Sequence, residues 1–152
     1  MSAGPVVVRL GAADVDDLMA LESLCFDYHW TREQFLLGLE RGAYHVFGIR
    51  SRGALAAYAA VSIVAGEMEI LNIAAHPQQR RKGLATALLR RVFAECRARG
   101  VEQGFLDVKA SNRAAIDLYR RFGFKQYGVR ERYYPDTGED AVLMRCDDFS
   151  RS

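Results

Sequence analysis

Three cations and a glycine, Arg80-Arg81-Lys82-Gly83, stand directly before the apolar, helix-periodic run Leu84-Ala85-Thr86-Ala87-Leu88-Leu89. The strand-like segment Ile70-Leu71-Asn72-Ile73-Ala74-Ala75 leads into them. A strand, a basic turn and a helix N-terminus in that order form an anion cradle. The first amides of a helix lack intrahelical partners, and the helix dipole adds positive potential there. Gly83 carries no Cβ, so the main chain at that point can approach a ligand closely. A pyrophosphate is the anion of matching chemistry. The wording is not that of a Walker loop, because no Gly-Lys-Ser/Thr follows a four-residue gap. Nor is it that of a Rossmann turn, which needs a glycine triplet.

The rest of the composition fits a small polyanionic ligand better than a duplex. The chain has 152 residues, 50% hydrophobic and 26% charged, the balance of one folded domain spanning residues 1–152. Its formal net charge is only +2, which argues against non-specific nucleic-acid binding. Positive charge is local instead, at Arg80 to Lys82, Arg90-Arg91 and Arg120-Arg121. Cys25, Cys96 and Cys146 are odd in number and far apart, so neither a zinc site nor a disulfide frame is expected. His29, His45 and His76 have no spacing that suggests a metal. No apolar run approaches the roughly 20 residues that cross a bilayer, and no signal pattern opens the chain. A soluble, cytoplasmic protein without a membrane partner is expected.

The elements that must position the cradle can be placed by pattern. Val6–Leu10 reads as a strand. Asp14 is placed to cap a helix whose inward face is Val15, Leu18, Leu21, Leu24 and Cys25. Thr31-Arg32-Glu33-Gln34 matches a capping box, opening a second helix through Phe35, Leu36 and Leu39. Strands are expected over 44–49, 55–64 and 67–75, then a long helix from about Gly83 to Arg99, stopped by Gly100. Phe105–Val108 reads as a buried strand, and Asn112 starts a helix that ends at Phe122-Gly123-Phe124. A hairpin follows: Lys125 to Tyr134 outward, a turn at Pro135-Asp136-Thr137-Gly138, and Asp140 to Cys146 returning. The order β-α-α-β-β-β-α-β-α-β-β describes a mixed α/β domain.

With these elements in place, nearly the whole chain resembles the GNAT-family N-acetyltransferases. The family's acyl-CoA signature, Q/R-x-x-G-x-G/A, is matched by Arg80, Gly83 and Ala85. Leu71-Asn72-Ile73-Ala74-Ala75-His76-Pro77 resembles the strand that leads into the family's cradle. Ala110 to Tyr119, with Phe122-Gly123-Phe124, resembles its late helix. Arg132-Tyr133-Tyr134-Pro135 with Glu139 to Met144 is similar to the ribosomal-protein-alanine N-acetyltransferases, which acetylate the N-terminal amine of a small-subunit ribosomal protein. The resemblance implies the GNAT fold: a central mixed, mostly antiparallel sheet of about seven strands, flanked by about four helices. It implies acetyl-CoA as co-substrate, no metal, direct transfer in a ternary complex, and a protein N-terminus as acceptor.

It also implies roles. The backbone at Ile73, Ala74 and Ala75 would hold the pantetheine arm, and amides of Arg81, Lys82, Gly83, Leu84, Ala85 and Thr86 would take the pyrophosphate. Asn112 would touch the coenzyme beyond it. Tyr119 would protonate the departing thiolate, for which tyrosine's ordinary pKa near 10 suits it; its place between Ile116 and Phe122 also suits simple packing. Two carboxylates compete as base. Asp107 stands where the ribosomal-protein-alanine subfamily usually has glutamate, and Glu69 stands where lysine-directed members carry theirs. An α-amine is about 2.5 pKa units easier to deprotonate than lysine, roughly 3.4 kcal/mol, so a distant carboxylate working through water suffices for a terminal amine. Trp30 would wall one side of the acceptor groove; Tyr133 and Tyr134, on opposite faces of a strand, would supply its other side, one lining the groove while the other packs. Two alternatives stand beside this reading: a small-amine acetyltransferase, and a non-catalytic acyl-CoA-binding module.

Overall fold

A computed structural model of the chain describes residues 4–26, 30–80 and 82–151. The elements run β1 (Val7–Leu10), a 3-10 turn (Ala12–Asp14), α1 (Val15–Cys25), α2 (Arg32–Glu40), β2 (His45–Ser51), β3 (Ala54–Val64) and β4 (Glu67–Ala75). A second 3-10 turn (Pro77–Gln79), α3 (Leu84–Ala98), β5 (Gln103–Lys109), α4 (Arg113–Arg121), β6 (Lys125–Arg130) and β7 (Ala141–Cys146) follow. The strands form one sheet in the order β1-β2-β3-β4-β5-β7-β6. Every neighbouring pair is antiparallel except β4 and β5, which run parallel. Seven strands and four α-helices in a mixed, mostly antiparallel arrangement match the expected fold.

Alternation along the strands divides the core into two layers. On β3, Ala57, Ala59 and Val61 join Leu88, Leu89, Val92 and Phe93 of α3 and Ile116 and Tyr119 of α4. Tyr58 and Ala60 face the other way, onto Leu18 and Leu21 of α1 and Phe35 of α2. The strand is buried on both sides, which is why it reads as a nearly continuous apolar run. Phe93 centres the first layer, with ring centroids 5.1, 6.0 and 5.0 Å from those of Phe122, Phe124 and Phe149. Edge-to-face and tilted packing of this kind adds stability beyond the area it buries.

Local rules account for most helix ends. Thr31 and Gln34 form the reciprocal capping box: Gln34 N–H donates to Thr31 Oγ1 at 3.2 Å, and Thr31 N–H donates to Gln34 Oε1 at 2.8 Å. Asn112 Oδ1 accepts from Ala115 N–H at 3.2 Å. Two expectations fail. Asp14 makes no side-chain cap to α1; its oxygens take Gly11 N–H at 2.8 Å and Arg50 at 2.7 Å. The inward face of α1 holds Val15, Leu18, Leu21 and Cys25 as expected but departs at one position. Leu24 is 58% exposed, and Glu22 is buried in its stead. An apolar tally could not foresee a charged residue on the core face.

Gly38, inside α2, lies against the Tyr44 ring, and Tyr44 stacks on Trp30 at 4.9 Å. A methyl at Gly38 would overlap that ring. Alanine ordinarily gains about 1 kcal/mol over glycine in a helix, but overpacking costs about 1–3 kcal/mol. Gly38→Ala is therefore expected to lower the melting temperature by a few degrees and to shift the emission of Trp30, the chain's single tryptophan. An unchanged melting curve and spectrum would show that Tyr44 does not brace this wall.

Candidate active site

The site begins where two strands part. β4 pairs with β5 only from Glu67 to Ile70, opposite Gln103 to Leu106. On its other side β4 pairs with β3, but Ala60 stands opposite Asn72 and Val61 opposite Ile70, so Leu71 is an extra residue, a bulge. A bulge bends its strand and increases the local twist. Past it, residues 71–75 stay paired to β3 while β5 continues with β7. A cavity of about 810 Å³ opens in the fork. It is lined by Glu69 to Ile73 of β4, Asp107 to Lys109 of β5, Asn112 and Tyr119 of α4, Cys25 and Phe26 at the end of α1, Trp30, and Tyr133 to Asp136.

Eight of the residues singled out by the sequence thus share one cavity: Trp30, Glu69, Ile73, Asp107, Asn112, Tyr119, Tyr133 and Tyr134. The Ala74 side chain points away, into the layer under α1 and α2. Ala75 is half-buried, its carbonyl accepting from Cys25 Sγ at 3.3 Å. Tyr133 and Tyr134 do not alternate across a strand as expected. β6 ends at Arg130, and Arg132 adopts a left-handed φ of 50°, which breaks the alternation and turns both tyrosines to the same cavity. Their rings meet edge to face at 5.1 Å. The loop is closed by Gly138 N–H donating to the Tyr134 carbonyl at 2.8 Å.

The titratable groups have distinct environments. Tyr119 is buried, its ring packed against Phe124 at 5.8 Å. Burial, with a smaller contribution from Tyr134, pushes its pKa well above the ordinary tyrosine value, so it carries its proton throughout the neutral range. Tyr134 is pushed up to about 12, first by burial and then by the charge of Asp107. Glu69 is exposed at the mouth of the cavity. Partial desolvation and the Asp107 charge raise its pKa, against a lowering influence from Arg130. A carboxylate with a raised pKa and a protonated tyrosine lining the same cavity are groups able to receive one proton and deliver another.

The cradle adjoins the fork through the turn at 76–83. Gly83 is the N-cap of α3, with φ 74° in the left-handed region and no side-chain cap. The helix's own ladder begins with Ala87 N–H donating to Gly83 O at 3.1 Å. Amides of 84–86 precede that bond and are available to an anion. The space where a Cβ of Gly83 would stand has no heavy atom within 4 Å. Leu84 is buried in the core and Ala85 packs against it, so only their backbone can serve a ligand. Lys82 donates to Gln79 Oε1 at 3.0 Å. The expected contribution of Arg81 lies outside the described residues.

A family model described as the Acetyltransferase (GNAT) family matches residues 15–124. The chain belongs to this family. It is 35% identical over 140 residues to the [Ribosomal protein bS18]-alanine N-acetyltransferase of Escherichia coli K12, covering 91% of this chain and 94% of that protein. It is also 35% identical over 156 residues to the N-alpha-acetyltransferase RimI of Mycobacterium tuberculosis, covering 97% of each. The crystal structure of the ribosomal-protein-S18-alanine N-acetyltransferase from E. coli superposes with a TM-score of 0.86 at 33% identity, covering 93% of this chain and 92% of that one. Among the described residues no helix is long and apolar enough to cross a membrane, and no cluster of three or more His, Cys, Asp or Glu could hold a metal ion.

Sequence reasoning passed over several residues that the fold brings to the site. Cys25, expected only on the inward face of the first helix, lines the cavity, and burial raises its pKa. Separate from the site, Thr86, the exposed Arg90, Arg121 and Phe122 line a second cavity of about 270 Å³ along α3. No linear signal pairs positions 90 and 121. Because Asp107 raises the pKa of Glu69, a Glu69 base predicts that Asp107→Asn moves the acidic limb of kcat/KM to lower pH and that Glu69→Gln removes it, whereas an Asp107 base predicts that Asp107→Asn removes it. A limb unmoved in both variants would exclude both carboxylates as the base. Gly83→Asp places a negative charge on the cradle and is expected to weaken coenzyme A binding at least tenfold, an estimate from the loss of charge-assisted hydrogen bonds. Unchanged affinity by calorimetry would refute the cradle.

Proposed function

We propose that this protein transfers the acetyl group of acetyl-CoA to the N-terminal α-amine of a protein, with the amino-terminal alanine of a ribosomal protein as its acceptor. The observation that carries the reading is the single cavity in the fork. A protonated tyrosine and two opposed carboxylates line it between an aromatic wall at Trp30 and the Tyr133-Tyr134 loop. The identity of about one third with the bS18-alanine enzyme over nearly the whole chain supports the acceptor class. A ribosomal acceptor in turn implies a cytoplasmic location.

Acetyl-CoA supplies an activated thioester. The backbone of Ile73, Ala74 and Ala75, on the β4 edge that β5 has left, holds the pantetheine arm and offers N–H groups to developing negative charge. Amides of 82–86, with Arg81, take the pyrophosphate, and Asn112 meets the coenzyme farther along. The acceptor enters between Trp30 and Tyr133-Tyr134. Glu69 or Asp107, directly or through water, takes the proton that the amine gives up as its nitrogen bonds to the acyl carbon. Tyr119 gives its proton to the sulfur as the carbon–sulfur bond breaks.

Incubating the protein with acetyl-CoA and peptides beginning Ala, Ser, Met or Gly, beside spermidine and free lysine, tests this directly. The Ala peptide is expected to be the best substrate. Tyr119→Phe should lower kcat by about 10²–10⁴, the usual worth of a general acid, with the KM for acetyl-CoA little changed. Preference for spermidine would overturn the acceptor assignment, and undiminished turnover in Tyr119→Phe would remove the tyrosine as acid.

A further inference from the structure

Glu22 is the one charged side chain in the core among the described residues, 1% exposed on the inward face of α1. Burying a carboxylate is costly, and an apolar residue of similar size would ordinarily serve the packing better. Its Oε1 accepts a hydrogen bond from Asn72 Nδ2 at 3.1 Å. Tyr58 of β3 is fully buried beside it, its hydroxyl held protonated by burial and by the Glu22 charge. Asn72 is next to the bulge residue Leu71, and it lines the cavity with Asp107 and Tyr119. The buried carboxylate therefore grips the strand where β4 leaves β5, through a residue that also faces the acceptor's space.

The chemistry of the pair decides which way Asn72 is turned. A primary amide has one end that donates and one that accepts, whereas a carboxylate only accepts. With Nδ2 committed to Glu22, the carbonyl oxygen is the end left for the cavity. A terminal amine approaching the thioester carries N–H donors and needs an acceptor to orient it. We propose that Asn72 Oδ1 binds the acceptor amine, and that Glu22 is the positioning residue that fixes the Asn72 amide in the orientation which presents that oxygen. The proposal rests on reading the cavity as the amine-acceptor site. It adds to Glu69 and Asp107, the candidate proton takers, a separate neutral group that aims the nitrogen.

A double-mutant cycle tests it. Glu22→Gln keeps the shape but has both donor and acceptor atoms, so it no longer dictates the amide's orientation. Asn72→Ala removes the oxygen. Initial rates are measured with a peptide beginning Ala and, separately, with spermidine, alongside the KM for acetyl-CoA and the melting temperature. Asn72→Ala is expected to raise the KM for the amine roughly tenfold, as for a lost hydrogen bond to a charged group. Glu22→Gln should raise it by a smaller factor, the double variant should be no worse than Asn72→Ala alone, and the KM for acetyl-CoA should stay unchanged in all three. Multiplying losses in the double variant, a parallel rise in the KM for acetyl-CoA, or wild-type behaviour of Asn72→Ala would overturn the proposal. If a variant fails to fold, the side-chain amide resonances of Asn72 in the unaltered protein decide: they shift on adding the Ala peptide if the carbonyl is engaged, and unmoved resonances reject it. Wild-type protein inactive on both amines would remove the acceptor-site reading and this inference with it. An active wild type with an uncoupled cycle would remove the inference alone.

Discussion

The whole site depends on one failure of strand pairing. β4 and β5 form the sheet's only parallel pair, and their ladder stops after four residues because Leu71 is an extra residue against β3. Strands that stayed together would fill the fork with hydrogen bonds and leave no cavity. By parting, they expose an edge of main chain on β4 and leave Asp107 on β5 across the gap from it. Backbone groups freed from a ladder must find partners elsewhere, and a long, polar, strand-like ligand is a natural one. The gap thus both creates the binding surface and selects the kind of molecule that fits it.

Around that gap the two halves of the fold supply different chemistry. The layer under α3 and α4 is dry and aromatic, and from it Tyr119 reaches the cavity with its proton held by burial. The opposite side is built by the end of α1, the Trp30 wall and the 131–140 loop, where charges and exposed tyrosines face a wide opening. The buried tyrosine hydroxyl therefore sits where water is scarce, and Glu69 sits where the cavity meets solvent. Burial is the first cause of the raised pKa at Tyr119, Tyr134 and Glu69 alike, and the Asp107 charge adds to it at Tyr134 and Glu69.

The chain's kinship constrains what varies. Identity of about one third with enzymes named for ribosomal protein bS18 extends over nearly the full length of both. This chain carries Asp107 where the resemblance leads one to expect glutamate, which withdraws the carboxylate by about one bond length. The raised pKa of Glu69 beside it follows in part from the Asp107 charge.

Residue types and spacing by themselves determined the element order, the capping box at Thr31 and Gln34 and the glycine-capped start of α3. Each is a local pattern, set by neighbours within a few positions of the chain. Tertiary structure alone decided three things. It put Glu22 inside and Leu24 outside, because Asn72 on β4 gives the buried Glu22 a hydrogen-bond partner that no count of apolar residues along α1 could show. It turned Tyr133 and Tyr134 to the same side, because the left-handed Arg132 ends the strand's alternation. And it opened the fork, because a bulge is a mismatch between two strands and has no signature in either one read alone.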